Sequence, residues 1–321
     1  MKYYAGIDLG GTNIVAGIVD ETFQIVASAK RKTALPRPCD TIIEDMEATV
    51  REAAGQAGIA VRELDYVGLG CPGMIDITTG VVIYSNNLEF YHEPVGEKLS
   101  GRLGIPVLMA NDADAAAFGE FKAGAGKGSQ NMIAITLGTG FGSGIIIHSK
   151  LYTGFAYGGA EIGHSLLVKD GELCTCGRRG CLEAYASATG LIRLTKNRME
   201  GCKESLMWKL VDGELEKVSG RTAFDAMRQG DPEGTAVVKK YTEYLAEGMV
   251  NIVNIFQPEI ICIGGGISKE GENLLGPINT YVNRYAFSRF ADQNTSVRIA
   301  ELGNDAGVIG AALLGEAFQC R

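Results

Sequence analysis

Histidine is scarce in this chain, three in 321 residues against eight cysteines. No apolar run is long enough to span a bilayer, which takes a helix of about 20 residues. No leader segment is expected either, because Met1-Lys2 runs straight into a strand-like stretch. Positive charge is in deficit, 30 Lys and Arg against 38 Asp and Glu, a net charge of −8. That argues against a nucleic acid or an anionic membrane as partner. Two nucleotide motifs are also missing. No G-x-x-x-x-G-K-[ST] is present, since Gly126-Lys127 lacks the first glycine and continues into Gly128. The run from Gly138 to Gly144 reads G-x-G-x-G-x-G, so the third Rossmann glycine falls on Ser143. Neither a low-complexity tail nor a long linker interrupts the chain. Five cysteines (Cys39, Cys71, Cys202, Cys262 and Cys320) are scattered, as expected of small core residues in a reducing cytoplasm.

What is present suits a globular protein of about two domains, 46% apolar and 21% charged. Tyr3–Leu9 and Ile14–Val19 read as a hairpin around Gly10-Gly11-Thr12-Asn13, followed by a strand over Phe23–Ala29. Helical periodicity marks Thr41–Ala57. Short strands are expected at 66–71, 81–84 and 106–109, with helices at 94–103 and 113–122. Gly124–Gly128 reads as a flexible joint, with a hinge expected near it. A second hairpin, Met132–Leu137 and Gly142–Ile147, turns at Gly138-Thr139-Gly140. Helices are predicted at 183–198, 223–228, 232–256, 274–287 and 306–318, and strands at 259–263 and 297–300. The two hairpins form a weak internal repeat, in which Asp8 of the first becomes Thr136 of the second. The expected division is residues 1–122 and 123–305, with the closing helix, about 306–321, returning to the first part.

Glycine turns expose backbone N–H groups that can cradle phosphate. One such turn is more often a plain hairpin; two matched turns plus Gly264-Gly265-Gly266 after a strand favour a nucleotide. Asp8, just before the first turn, has the chemistry to hold Mg²⁺ directly or through water. Asn111-Asp112 stands between a strand and a helix. Capping accounts for one of the two; the other reading makes Asp112 a general base and Asn111 a hydroxyl ligand, the need of a phosphoryl-transfer kinase.

Glu161–Glu183 is the densest stretch. It reads E-I-G-H from Glu161 and C-T-C-G-R-R-G-C-L-E from Cys174. His164, Cys174, Cys176 and Cys181 make a Cys₃His set suited to a closed, structural zinc site. Buried thiols or a disulfide are the alternative; cysteines this dense in a cytosolic-looking chain favour metal. A knot there would fix Glu161 and Glu183, and fixed carboxylates accept hydrogen bonds from the hydroxyls of a sugar or polyol.

Asp8-Leu9-Gly10-Gly11-Thr12, Asn111-Asp112, the 138–144 glycines, Glu161-x-Gly163-His164 and Cys174-x-Cys176-Gly177-x-x-Gly180-Cys181-x-Glu183 together resemble the ROK family of sugar kinases and sugar-responsive repressors, in order and over nearly the whole chain. Within it the chain is most similar to bacterial glucokinases. The resemblance implies an α/β, two-lobed actin-like/hexokinase (ribonuclease H-like) ATPase fold with a structural zinc site, ATP and sugar meeting between the lobes. It implies a cytoplasmic, glycolytic hexose kinase using ATP, Mg²⁺ and Zn²⁺, glucose first, and a homodimer. An N-acetylmannosamine or N-acetylglucosamine kinase or a fructokinase is the runner-up. A repressor would need a helix-turn-helix before the first hairpin, where Asp8 leaves no room, and a dead sugar-binding module is disfavoured by Asp112. Carried over, Asp112 is the catalytic base, and Gly73, Asn86, Asn111, Asp112, Glu161, His164 and Glu183 contact sugar. Asp8, Gly10, Gly11, Thr12, Asn13, Gly138, Thr139, Gly140, Gly264, Gly265 and Gly266 serve the nucleotide. His164 would serve both zinc and sugar. Phe90 stands where many glucokinases carry Trp.

Overall fold

The computed structural model describes residues 2–318, so the expectations for Cys320 and for the end of the 306–321 segment lie outside the described residues. The chain opens with β1 (Tyr3–Leu9), β2 (Asn13–Asp20), β3 (Ile25–Lys32) and α1 (Cys39–Gln56). It continues with β4 (Val67–Cys71), β5 (Met74–Asp76), β6 (Val81–Ser85), β7 (Phe90–Glu93), α2 (Val95–Leu103), β8 (Val107–Asn111) and α3 (Asp112–Ala123). Then come β9 (Met132–Leu137), β10 (Phe141–Ile147), β11 (Lys150–Tyr152), α4 (Glu183–Ala186), α5 (Ala188–Gly201), α6 (Leu206–Leu210), α7 (Thr222–Arg228) and α8 (Pro232–Phe256). The chain closes with β12 (Ile260–Gly264), α9 (Glu272–Tyr285), β13 (Ser296–Ile299), α10 (Ala306–Ala312) and α11 (Leu314–Phe318). No helix among the described residues is long and apolar enough to cross a membrane.

Two five-stranded sheets run β3-β2-β1-β4-β8 and β11-β10-β9-β12-β13. Each has the same order, third-second-first-fourth-fifth, so the hairpin repeat in the sequence extends to a repeat of whole sheets. In the first sheet β2 and β3 are antiparallel neighbours while β4 and β8 run parallel to β1. The register sets Asp8 opposite Gly70, and Cys71 opposite Asn111. Asp8 and Asn111 therefore lie at the carboxyl ends of parallel strands, where α/β sheets bind ligands.

The contacts divide the chain into two compact units. The first holds the residues up to Ala134, Gly144–Ala160 and the chain from Glu301; the second holds Ile135–Ser143 and Glu161–Ala300. The closing helices belong to the first unit. There α1 buries Ile42, Met46 and Val50 completely, a one-sided helical stripe in which each side chain contributes about 1.5–3 kcal/mol. α10 lies directly on the sheet, so close that a Cβ on Gly68 would fall 1.7 Å from the Ala311 carbonyl oxygen. In the second unit α8 starts on Pro232, with the Asp231 carboxylate accepting the Glu233 N–H at 2.9 Å, a standard helix start.

Four expectations need correction. The third strand begins at Ile25 because Asp20 Oδ1 accepts the N–H groups of Thr22 and Gln24, at 2.8 and 3.0 Å, and holds Phe23 in the preceding turn. The helix expected over 183–198 breaks at Ser187, which caps α5 through Gly190 N–H at 3.1 Å, while the Tyr241 hydroxyl takes the Ala186 carbonyl at 2.7 Å. The helix expected over 306–318 breaks at Leu313, where the Tyr66 hydroxyl donates to Ala312 O (2.6 Å) and accepts Gly315 N–H (3.0 Å). The joint at 124–128 is tied down: buried Glu120 accepts N–H groups of Ala125, Glu301 and Leu302 at 2.8–3.0 Å.

Candidate active site

In the first unit the site forms at the junction of β8 and α3. Asn111 is the helix cap: its Oδ1 accepts Ala113 N–H at 2.8 Å and Asp114 N–H at 3.3 Å. Its Nδ2 donates to Gly73 O at 2.9 Å, tying the turn after β4 to the helix start. Gly73 sits at φ 113°, and a Cβ there would meet Tyr84 O at 2.2 Å. Because Asn111 supplies the cap, Asp112 is not needed for it. Asp112 is the first helical residue, and its Oδ1 is 3.0 Å from Ala113 N. Burial pushes its carboxyl above the ordinary range, while the Ala113 N–H and Asn111 pull the other way.

Asp8 is held in β1 within the same unit. Burial, and then the negative charge of Asp112, push it up to about 6. A half-buried carboxylate raised by a second one nearby makes a place for a cation. The side-chain oxygen of Asn13, at the turn of the same hairpin, is buried without a hydrogen-bond partner. These oxygen donors fit Mg²⁺, which takes few carboxylates plus phosphate. Asn86 is exposed in the turn after β6, and its Oδ1 accepts the Tyr84 hydroxyl at 3.3 Å. Phe90 is 2% exposed and belongs to the core.

In the second unit a single 3₁₀ turn, Ile162–His164, follows Glu161. Side chains three apart eclipse in such a turn, which suits Glu161 and His164 for work on one ligand. Ser143, the residue that breaks the Rossmann spacing, has its hydroxyl 3.2 Å from Ile162 N, which donates to it. The donor atoms of His164, Cys174, Cys176 and Cys181 all lie within 4.8 Å of one another. His164 Nδ1 stands 3.6 Å from Cys174 Sγ, and Cys176 Sγ 3.7 Å from Cys181 Sγ. Burial raises the thiols of Cys174, to about 12, and Cys181, while the Arg178 backbone N–H lowers that of Cys176. Four donors of this type at this spacing fit a tetrahedral zinc ion, which would displace the thiol protons on binding.

The glycine turn 138–140 adjoins this loop. Two of its three carbonyls face the start of α5: Gly138 O accepts Ala188 N–H at 2.9 Å and Thr139 O accepts the Thr189 hydroxyl at 2.7 Å, while Gly140 O accepts Gly138 N–H at 3.1 Å within the turn. Turning carbonyls away favours a phosphate, and so does the helix start beside them. Gly265, at φ 86°, packs so near the end of β9 that a Cβ would lie 2.4 Å from Leu137 O. The second unit thus brings together both its glycine turns, Glu183 and the cysteine loop. The first brings together Asp8, Asn111, Asp112 and Gly73. Sequence reasoning missed Thr175 and the Phe141 N–H, both of which hold Glu183. A threonine between two cysteines and a backbone amide carry no sequence signal.

A profile of the ROK family matches residues 4–317. The chain is 39% identical over 308 residues to the glucokinase of Thermotoga maritima, covering 96% of this chain and 95% of that one. It is 38% identical over 309 residues to the glucokinase of Streptomyces coelicolor, with the same coverage. Among solved structures it resembles a ROK family glucokinase from Streptomyces griseus in complex with glucose and AMPPNP, with a TM-score of 0.80, 37% identity and coverage of 97% and 98%.

Proposed function

This chain belongs to the ROK family, and on that premise we propose that it is an ATP-dependent hexose kinase that converts glucose to glucose 6-phosphate. The α/β architecture with two mixed sheets is that of the family's sugar kinases. The observation that carries the reading is Asp112, half-buried at the start of α3, released from capping by Asn111 and near enough to Asp8 to raise it. A partly desolvated carboxylate with a raised proton affinity is a suitable general base. Asp112 accepts the proton of the sugar hydroxyl as that oxygen attacks the γ-phosphoryl of ATP. The start of α3 holds the carboxylate in place through Ala113 N–H.

Gly73, Asn86, Asn111, Glu161, His164 and Glu183 are assigned to the sugar. His164 presents Nδ1 to the thiols, which leaves Nε2 for a hydroxyl. Asp8 would hold the Mg²⁺ of the nucleotide, and the ion would neutralise phosphate charge there. His164, Cys174, Cys176 and Cys181 would hold zinc, whose role is to fix this loop and the histidine ring. The turns at 10–13, 138–140 and 264–266 are assigned to the phosphates. ATP use and seven free cysteines among the described residues fit a reducing cytoplasm. A coupled ADP-release assay across hexoses and N-acetylhexosamines tests the reading. The highest kcat/KM is expected on glucose. A higher value on N-acetylmannosamine overturns the sugar assignment, and no ADP release on any sugar overturns the kinase.

The working form is proposed to be a homodimer. Ile255, Phe256, Tyr285, Phe287 and Phe290 are each between 36% and 85% exposed. Asn254 Oδ1 accepts Phe287 N–H at 2.8 Å and joins the end of α8 to the segment after α9. With about 200 Å² per large side chain, these five expose roughly 650 Å², near the ~800 Å² each partner gives to a standard interface. Sedimentation should show a dimer that Phe287→Asp with Phe290→Asp splits.

A further inference from the structure

We propose that Glu183 is a positioning residue for the nucleotide, a strut that couples the cysteine loop to the glycine turn at 138–140. The inference rests on the kinase reading and adds a role to a residue assigned above only to the sugar. Both carboxylate oxygens are engaged. Oε2 accepts the Phe141 N–H at 2.9 Å, directly after the turn. Oε1 accepts the Thr175 hydroxyl at 2.9 Å and lies 3.3 Å from the Cys174 thiol, which donates to it. The carboxylate also presses on the turn itself, since a Cβ on Gly140 would lie 2.6 Å from Oε2.

A carboxylate beside a phosphate-binding turn is unfavourable by charge alone. Its place there is explained by what it holds. The turn hangs from residues at or just before the start of α5: Glu183 takes Phe141 N–H, Ala188 takes Gly138 O, and Thr189 takes Thr139 O. Thr175 stands between Cys174 and Cys176, so a shift of either cysteine moves the hydroxyl that holds Oε1. A cation at the four thiol and imidazole donors would both fix Thr175 and offset the carboxylate's charge. The state of the cysteine loop is thereby transmitted to the nucleotide turn, and not only to the sugar.

The test is calorimetric titration of ADP, without sugar, into zinc-replete wild type, Glu183→Ala, Glu183→Gln and Thr175→Val. Glu183→Ala should bind ADP about tenfold more weakly, the scale of one lost charge-assisted hydrogen bond. Glu183→Gln should stay within about twofold, because an amide oxygen still accepts Phe141 N–H and its NH₂ donates to Thr175 Oγ1. Thr175→Val, which keeps the carboxylate and loses one tie, should fall between. Chelating the metal should weaken ADP binding to wild type by a similar factor, and should add little in Glu183→Ala, the mark of coupled sites. Wild-type ADP affinity in a folded Glu183→Ala overturns the strut. If that variant does not fold, full affinity in Thr175→Val together with no effect of chelation overturns it equally. Failure of wild type itself to bind ADP overturns the kinase reading, and the strut with it.

Discussion

Asp112 and Glu183 are both candidate site carboxylates, and the two units hold them by different means. In the first unit regular backbone does the aiming. Asp112 follows β8 without a break, starts α3, and is flanked by a cap that Asn111 provides. In the second unit the stretch from Glu161 to Cys181 contains one 3₁₀ turn and two isolated bridges, Leu166 with Cys181 and Leu173 with Arg179. Its groups are aimed by cross-links between side chains and by the thiol–imidazole cluster. A carboxylate on a helix start survives the loss of a neighbour's side chain, because the helix hydrogen bonds hold it. A carboxylate beside an irregular loop depends on each cross-link. The acid pair should therefore tolerate substitution structurally and fail chemically, while the cysteine loop should fail in both respects.

The sharpest break in that contrast is Asp112→Asn. Turnover on glucose should fall by about 10²–10⁴-fold, the contribution of a positioned general base. The thermal melt should stay at or above the wild-type value, because Asn111 keeps the cap and the amide removes a charge that burial disfavours. Near-normal turnover removes Asp112 from the chemistry. Cys176→Ala comes next. Elemental analysis should drop from about one zinc per chain to none, sugar affinity should weaken by about 10–100-fold, and the melt should fall as well. Protein that keeps its melt and its sugar affinity without zinc sinks the structural role of the loop.

A smaller effect separates charge from shape in the first unit. The folded-state pKa of Asp8, about 6, is above the ~3.9 of an unfolded aspartate. Between those values the folded state binds more protons, so this group makes the protein less stable as pH rises through that window. In metal-free protein Asp8→Asn removes the loss. It should melt higher than wild type above about pH 6, by up to about 3 kcal/mol at ~1.4 kcal/mol per pKa unit, with the gap closing below about pH 4. A gap that does not change with pH contradicts the burial argument. The smallest effect belongs to Asn111→Ala. Losing a cap and the bond to Gly73 should cost about 2 kcal/mol in denaturant unfolding. Turnover should fall too, since Asn111 is itself assigned to the sugar, while Asp112 keeps its place through the helix hydrogen bonds.

Much of the candidate site is visible in residue order. The Cys₃His set follows from donor chemistry and spacing, and the structure gathers those four donors. The paired glycine turns and the Asp8/Thr136 substitution mark a repeat that the two sheets reproduce in strand order. Other features were not legible. Which of Asn111 and Asp112 serves as the cap could not be read from two good capping residues side by side. The breaks at Ser187 and Leu313 leave no mark in helical periodicity, because the hydroxyls that stabilise them belong to Tyr241 and Tyr66, distant in sequence.

By itself the sequence determined which groups are present and their local geometry: alternation made the strands, 3.6-residue periodicity made the helices, and glycine made the turns that side chains would block. Only the tertiary structure decided which of those groups interact. Burial raised Asp8 and Asp112 by stripping water from two carboxylates brought near each other. Long-range hydrogen bonds joined Glu183 to Phe141, 42 residues away. Desolvation and contact depend on how distant segments pack, and residue order encodes them only through the whole fold.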